Sequence, residues 1–128
     1  MHIAEAAHAA GTTAKTLRFY EDIGLLPDVD RTPSGYRDYS PESIQRAAFI
    51  RRSRASGLSL EQTRGVLAIH DAGAKPCDEV REQLADQLRS IDARIAELQS
   101  LRHAVATQLA ASASGPAECA SEEICSYL

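Results

Sequence analysis

Tryptophan is absent from this 128-residue chain, and four tyrosines and two phenylalanines supply all of its aromatic side chains. Strand-type alternation of apolar and polar residues is nearly missing, while alanine and leucine dominate, which excludes an all-β fold and points to a mainly α protein. No apolar run approaches the ~18 residues that a membrane span needs, so no membrane partner is expected. The opening Met1-His2-Ile3-Ala4-Glu5 has neither a basic region nor an apolar core, so no signal peptide is expected and a cytoplasmic protein follows. Cysteine is scarce: Cys77, Cys119 and Cys125, all in the later part, which argues against a disulfide framework. A nucleophile paired with a base, a phosphate-binding loop and a catalytic carboxylate pair are all lacking, so no enzyme is expected. His2, His8, His70 and His103 are scattered and read as surface or core residues.

What is present is unevenly distributed. The formal charge is −4, yet residues 1–64 carry nine Lys+Arg against eight Asp+Glu, and residues 65–128 carry five against ten. A DNA-binding half followed by an acidic helical half fits that asymmetry. Residues 2–10 have strong helix propensity, with Ile3, Ala6 and Ala7 on one face. Gly11 can take the positive φ of a tight turn, and Thr12 or Thr13 can cap the helix that follows. In that helix Leu17 and Ile23 are expected to point inward, with Lys15, Arg18 and Tyr20 outward. A protruding Lys/Arg/Tyr set at a helix start suits phosphate and base-edge contact; an ordinary amphipathic surface helix has the same spacing.

Arg31-Thr32-Pro33-Ser34-Gly35-Tyr36-Arg37 reads as a hairpin turn between short extended arms, with the composition of a wing that grips the phosphate backbone or of a plain structural loop. Ser40-Pro41-Glu42 starts another helix, inward at Ile44, Ala47, Ala48 and Ile50 and carrying Arg46, Arg51, Arg52 and Arg54. Those arginines are expected on a solvated face, some within reach of phosphate. Gly57 ends it, and Ser59-Leu60-Glu61-Gln62 resembles a capping box. After a break at residues 71–76, a helix over about 78–111 carries Leu84, Leu88, Ile91, Ile95, Leu98, Arg102, Val105 and Leu109 at alternating spacings of four and three. So long a heptad seam wants a partner helix, and a homodimer follows. The expected organisation is a DNA-binding domain over 1–73, a dimerisation helix over 74–111 and a cysteine-containing tail over 112–128.

Thr16-Leu17-Arg18-Phe19-Tyr20-Glu21-Asp22-Ile23-Gly24-Leu25-Leu26-Pro27, Gly35-Tyr36-Arg37-Asp38-Tyr39, Phe49-Ile50-Arg51-Arg52 and Gly57-Leu58-Ser59-Leu60-Glu61, in this order and followed by the coil, resemble the MerR family of transcriptional regulators over nearly the whole chain. The resemblance implies a winged helix-turn-helix, a second helical pair, and a long dimerisation helix forming an antiparallel coiled coil. It implies a dimer on double-stranded promoter DNA that deforms the site for RNA polymerase when an inducer binds, with deformation energies of about a few kcal/mol. By the same resemblance Thr13, Lys15, Thr16, Arg18 and Tyr20 in the helix, and Arg31, Tyr36 and Arg37 in the wing, contact DNA. Where the family's run is commonly Arg-Tyr-Tyr, this chain has Arg18-Phe19-Tyr20.

The resemblance also bears on the signal. Family members sensing divalent soft metal ions have a cysteine at the start of the coil helix, here Cys77, which in an antiparallel dimer meets the loop of the other subunit, here with Cys119 and Cys125. Three thiolates suit Hg(II), Pb(II) or Cd(II), whereas Zn(II) usually takes a fourth ligand. Ser112 stands where such members usually carry their first loop cysteine. A thiol redox switch or an unknown small-molecule signal is the alternative. An iron–sulfur version needs four cysteines, and organic-ligand sensors usually add a domain after the coil, where this chain has 17 residues.

Overall fold

A computed structural model describes residues 1–27, 29–113, 124–125 and 127–128. Five helices and one two-stranded sheet are described: α1 Ile3–Ala10, α2 Ala14–Asp22, β1 Asp30–Arg31, β2 Arg37–Asp38, α3 Pro41–Ala55, α4 Leu60–Asp71 and α5 Cys77–Ser112. The mainly α, winged architecture is the expected one. No helix among the described residues is long and apolar enough to cross a membrane.

The chain divides into two compact units, Met1–Gln87 and Leu88–Leu128, the division falling inside α5. The first is built on the expected periodicity. Ala6, Ala7 and Ala10 of α1, Leu17 and Tyr20 of α2, Leu25 and Leu26 after it, Tyr39, Ala47 and Ile50 of α3, and Leu67 of α4 form one buried cluster. Ile3, Ile23, Ile44 and Ala48 pack against it, partly buried. Small alanines on α1 let neighbouring helices approach closely, so a core with few aromatics closes.

Helix starts are capped as their sequences suggest. Thr13, rather than Thr12, is the cap of α2, its Oγ1 accepting from the Thr16 amide at 3.1 Å. Ser40 accepts from the Ser43 amide at 3.1 Å. At α4 the box is complete: Ser59 Oγ accepts from the Gln62 amide at 3.0 Å, and Gln62 Oε1 accepts from the Ser59 amide at 2.8 Å.

Helix ends are closed by the arginines. The expected solvated face holds for Arg51, Arg52 and Arg54, which are exposed, while Arg46 is half-buried, and Arg46, Arg51 and Arg54 also have protein partners. Arg51 Nε donates to the Ala10 carbonyl at the end of α1, 3.1 Å away. Arg46 donates to the Leu25 carbonyl at 2.6 Å and reaches both carboxylate oxygens of Asp71, at 2.6 and 3.0 Å. Arg54 donates to the Leu58 carbonyl at 2.7 Å. From α4, Arg64 donates to the Ile23 carbonyl, just past the end of α2, at 2.7 Å. Carbonyls of a helix's last turn have no partner within the helix, and a guanidinium with several donors serves them well.

α3 and α4 also share a buried polar contact, Ser53 Oγ to Thr63 Oγ1 at 2.7 Å. The Thr63 proton goes to the Ser59 carbonyl at 2.9 Å, so Ser53 is the donor between the two hydroxyls. Thr63→Val keeps the shape but leaves the Ser53 hydroxyl buried and unpaired, at a cost of about 1–3 kcal/mol. A urea denaturation midpoint that falls with an unchanged slope checks this, and Ser53→Ala added to Thr63→Val recovers part of the loss.

Candidate nucleic-acid interface

The outward face of α2 follows from helical geometry. Leu17 and Tyr20, three residues apart, are buried, which turns Lys15, Arg18, Phe19 and Asp22 to solvent. Tyr20 is the correction here. It was expected to point outward, but it is 6% exposed and part of the core, because it shares the Leu17 face. Phe19 is the exposed aromatic instead, at 45%. Thr13 is exposed and Thr16 half-buried, and their hydroxyls are 2.9 Å apart in the cap.

The wing hairpin is closed by the turn that Pro33-Ser34-Gly35 suggests. The Gly35 amide donates to the Thr32 carbonyl at 2.8 Å, and the Thr32 amide to the Tyr36 carbonyl at 2.7 Å. Gly35 sits at φ 87°, where a side chain is strained. The register sets Arg31 opposite Arg37 and Asp30 opposite Asp38. Like charges directly opposite repel, and each pair is relieved. Arg37 Nε lies 2.9 Å from Glu21 Oε2. The Met1 ammonium sits on Asp38 Oδ1 at 2.6 Å and holds that exposed carboxyl below its usual pKa, first by the hydrogen bond and then by its charge. Arg31 stays at the surface with a donor on the Gly35 carbonyl at 3.1 Å. Tyr36 is 67% exposed.

Glu21, a half-buried carboxylate on α2, joins that helix to the wing hairpin. Besides Arg37 it accepts from the buried Tyr39 hydroxyl at 2.8 Å. The structure thus places Arg37 with one side on Glu21 and brings Lys15, Arg18, Arg31 and Tyr36 to the surface. Glu21 was not singled out in sequence. Its position one residue after Tyr20 and its complementarity to Arg37 were the available signals.

Of the three cysteines, Cys77 is exposed at the first residue of α5, and Cys125 is exposed. Cys119 lies outside the described residues. Ser112 is the last residue of α5, its hydroxyl donating to the Leu109 carbonyl at 2.6 Å. Among the described residues no three His, Cys, Asp or Glu side chains come together within the chain.

Burial, and then the hydrogen bond to ionised Glu21, push the Tyr39 phenol well above its usual pKa of 10.0. Burial also raises Tyr20, with Arg54 opposing. A raised phenol pKa means that the unfolded chain loses its proton first. Stability from these groups is therefore whole below pH 10 and falls as pH rises through 10 toward the folded values. Tyr39→Phe is expected to flatten that alkaline loss, measured as denaturation midpoints over about pH 9 to 11.

The comparisons with known proteins agree with this geometry. The MerR HTH family regulatory protein profile matches residues 1–68, and a MerR DNA-binding profile matches residues 44–107. The chain is 39% identical over 102 residues to the HTH-type transcriptional regulator HmrR of Rhizobium leguminosarum, covering 80% of this chain and 78% of that one. It is 38% identical over 104 residues to the HTH-type transcriptional regulator ZntR of Escherichia coli, covering 80% and 74%. Among solved structures it is similar to the transcription regulator PbrR691 of Ralstonia metallidurans in complex with lead(II), with TM-score 0.74, 30% identity and coverage of 95% and 93%. It is also similar to HiNmlR, a MerR family regulator bound to promoter DNA, with TM-score 0.61, 28% identity and coverage of 86% and 83%. With its winged helix-turn-helix and these matches, the chain belongs to the MerR family of helix-turn-helix transcriptional regulators.

Proposed function

We propose that this protein is a cytoplasmic, homodimeric regulator that binds promoter DNA and activates transcription when a divalent soft metal ion binds. The observation that carries the reading is the state of α5. Its seam residues Leu84, Leu88, Ile91, Ile95, Leu98, Val105 and Leu109 are between 39% and 71% exposed in a single chain. A second copy laid antiparallel would cover them by knobs-into-holes packing. It would also bring the α5 start of one chain near the tail of the other.

On this reading the α2 face enters the major groove. Lys15 and Arg18 supply groove and phosphate contacts, with Thr13 and Thr16 at the helix start. Arg31, Tyr36 and Arg37 reach the flanking backbone. Cys77 of one chain, with Cys119 and Cys125 of the partner subunit, forms the metal site. Three thiols are a donor set for Hg(II), Pb(II) or Cd(II), with a further ligand for Zn(II). HmrR and ZntR are named as transcriptional regulators, and PbrR691 is described with lead(II), which supports a metal signal here. The metal is the inducer. The protein answers it by changing the geometry of two α2 helices on one DNA site, so that RNA polymerase meets a bent and untwisted promoter.

Three variants test separate parts. Arg18→Ala weakens promoter binding roughly tenfold or more, with and without metal, as expected for a lost groove contact. Wild-type affinity in a mobility-shift titration would overturn the α2 assignment. Cys77→Ser keeps promoter affinity but loses tight uptake of Cd(II), Pb(II) and Hg(II) by native mass spectrometry; retained uptake and response would sink the proposed site. Ile95→Asp places a charge in the seam and is expected to give a monomer by light scattering.

A further inference from the structure

Phe19 is an apolar ring on a face that is otherwise charged. It lies one residue after Arg18 and four after Lys15, turned away from the buried Leu17 side of α2. It is 45% exposed and stands outside the core cluster and the apolar residues that pack on it. Its ring contacts that of Tyr20, with centroids 6.1 Å apart in a tilted arrangement. The single chain leaves nearly half of this residue uncovered. A partner with an apolar group between polar ones would cover more of it.

The major groove offers one such group. Thymine presents its 5-methyl there, beside the donor and acceptor atoms of the neighbouring bases. Cationic side chains contact guanine edges or phosphates, while an apolar side chain between them discriminates by covering a methyl. We propose that Phe19 is a specificity-determining residue that covers the 5-methyl group of a thymine in each half-site, next to the contacts of Lys15 and Arg18. The inference rests on the reading that α2 enters the major groove.

Deleting a methyl from an apolar contact is expected to weaken binding about fourfold, from roughly 0.8 kcal/mol per buried carbon group. The probe is a duplex selected from a random-sequence library by the full-length protein. Each thymine is replaced in turn by deoxyuridine, which deletes only the methyl. Wild-type protein is expected to lose about three- to fivefold affinity at one thymine, or its symmetry mate, and little elsewhere. Phe19→Ala, checked for folding by circular dichroism, is expected to bind the parent duplex more weakly and to show no deoxyuridine effect at that position. Phe19→Leu keeps an apolar side chain and is expected to retain part of it.

A Phe19→Ala protein that keeps full affinity, or that retains the same deoxyuridine profile, would overturn the proposal. So would a loss spread evenly over all sequences, which would assign the ring to the sugar–phosphate backbone. Arg18→Ala in the same titrations separates the two levels. If Arg18→Ala weakens binding and Phe19 proves silent, only the methyl contact is wrong. If both are silent, the groove-facing reading of α2 is wrong.

Discussion

The orientation of α2 depends on where the carbonyls at helix ends find donors. A short helix leaves its last carbonyls open, and α1 and α2 have eight and nine residues, so open ends are a large share of each. Arg51 of α3 serves the end of α1, Arg46 the turn after α2, and Arg64 of α4 the C-cap residue Ile23 just past α2. The helix-turn-helix is thereby tied at its ends to the second helical pair, across sequence separations of 21 to 41 residues. Apolar packing of alanines alone is nearly indifferent to small slides between helices. A guanidinium bond to a particular carbonyl is not, because its strength falls steeply with distance and angle.

The same bonds make a physical connection from the start of α5 to α2. Gln83 of α5 is buried, at 8% exposure, and donates to the Gln62 carbonyl of α4 at 3.3 Å and to Glu79 at 3.2 Å. α4 in turn carries Arg64, which holds the end of α2. A shift of the first turns of α5 along its axis cannot leave the Gln83–Gln62 bond intact.

How much of this could be read in advance follows the range of the interactions. Local signals were legible: the Thr13, Ser40 and Ser59 caps, the turn at Gly35, and the α5 seam rest on residues a few positions apart. Tyr20 was misjudged because a tyrosine beside arginine resembles a binding residue, although its three-residue spacing from Leu17 puts it on the buried face. The exposure of Arg51, Arg52 and Arg54 on α3 was legible, but the partners Ala10, Leu25 and Asp71 were not, because they lie far along the chain or are backbone carbonyls, which composition does not mark. The Arg37–Glu21–Tyr39 contact was hidden for the same reason. The cysteine expectation rests on resemblance alone, and Cys119 lies outside the described residues.

On the dimeric reading, α5 does more than join two DNA-binding halves. A helix of 36 residues is ~54 Å long, and most of the stability of such a helix comes from packing its apolar face. Beyond Gln87 the described residues of the second unit belong chiefly to this one helix, with its apolar stripe exposed. Covering the stripe with a second chain makes the stability of α5 depend on protein concentration. Arg102 interrupts the seam, and a polar residue at a seam position favours the one register that lets it reach a polar partner, at some cost in stability. That cost has a use here, since a one-heptad slip would move Cys77 by ~10 Å relative to the opposite tail. A seam made wholly of leucine would hold the two chains together more tightly and place the thiols less well.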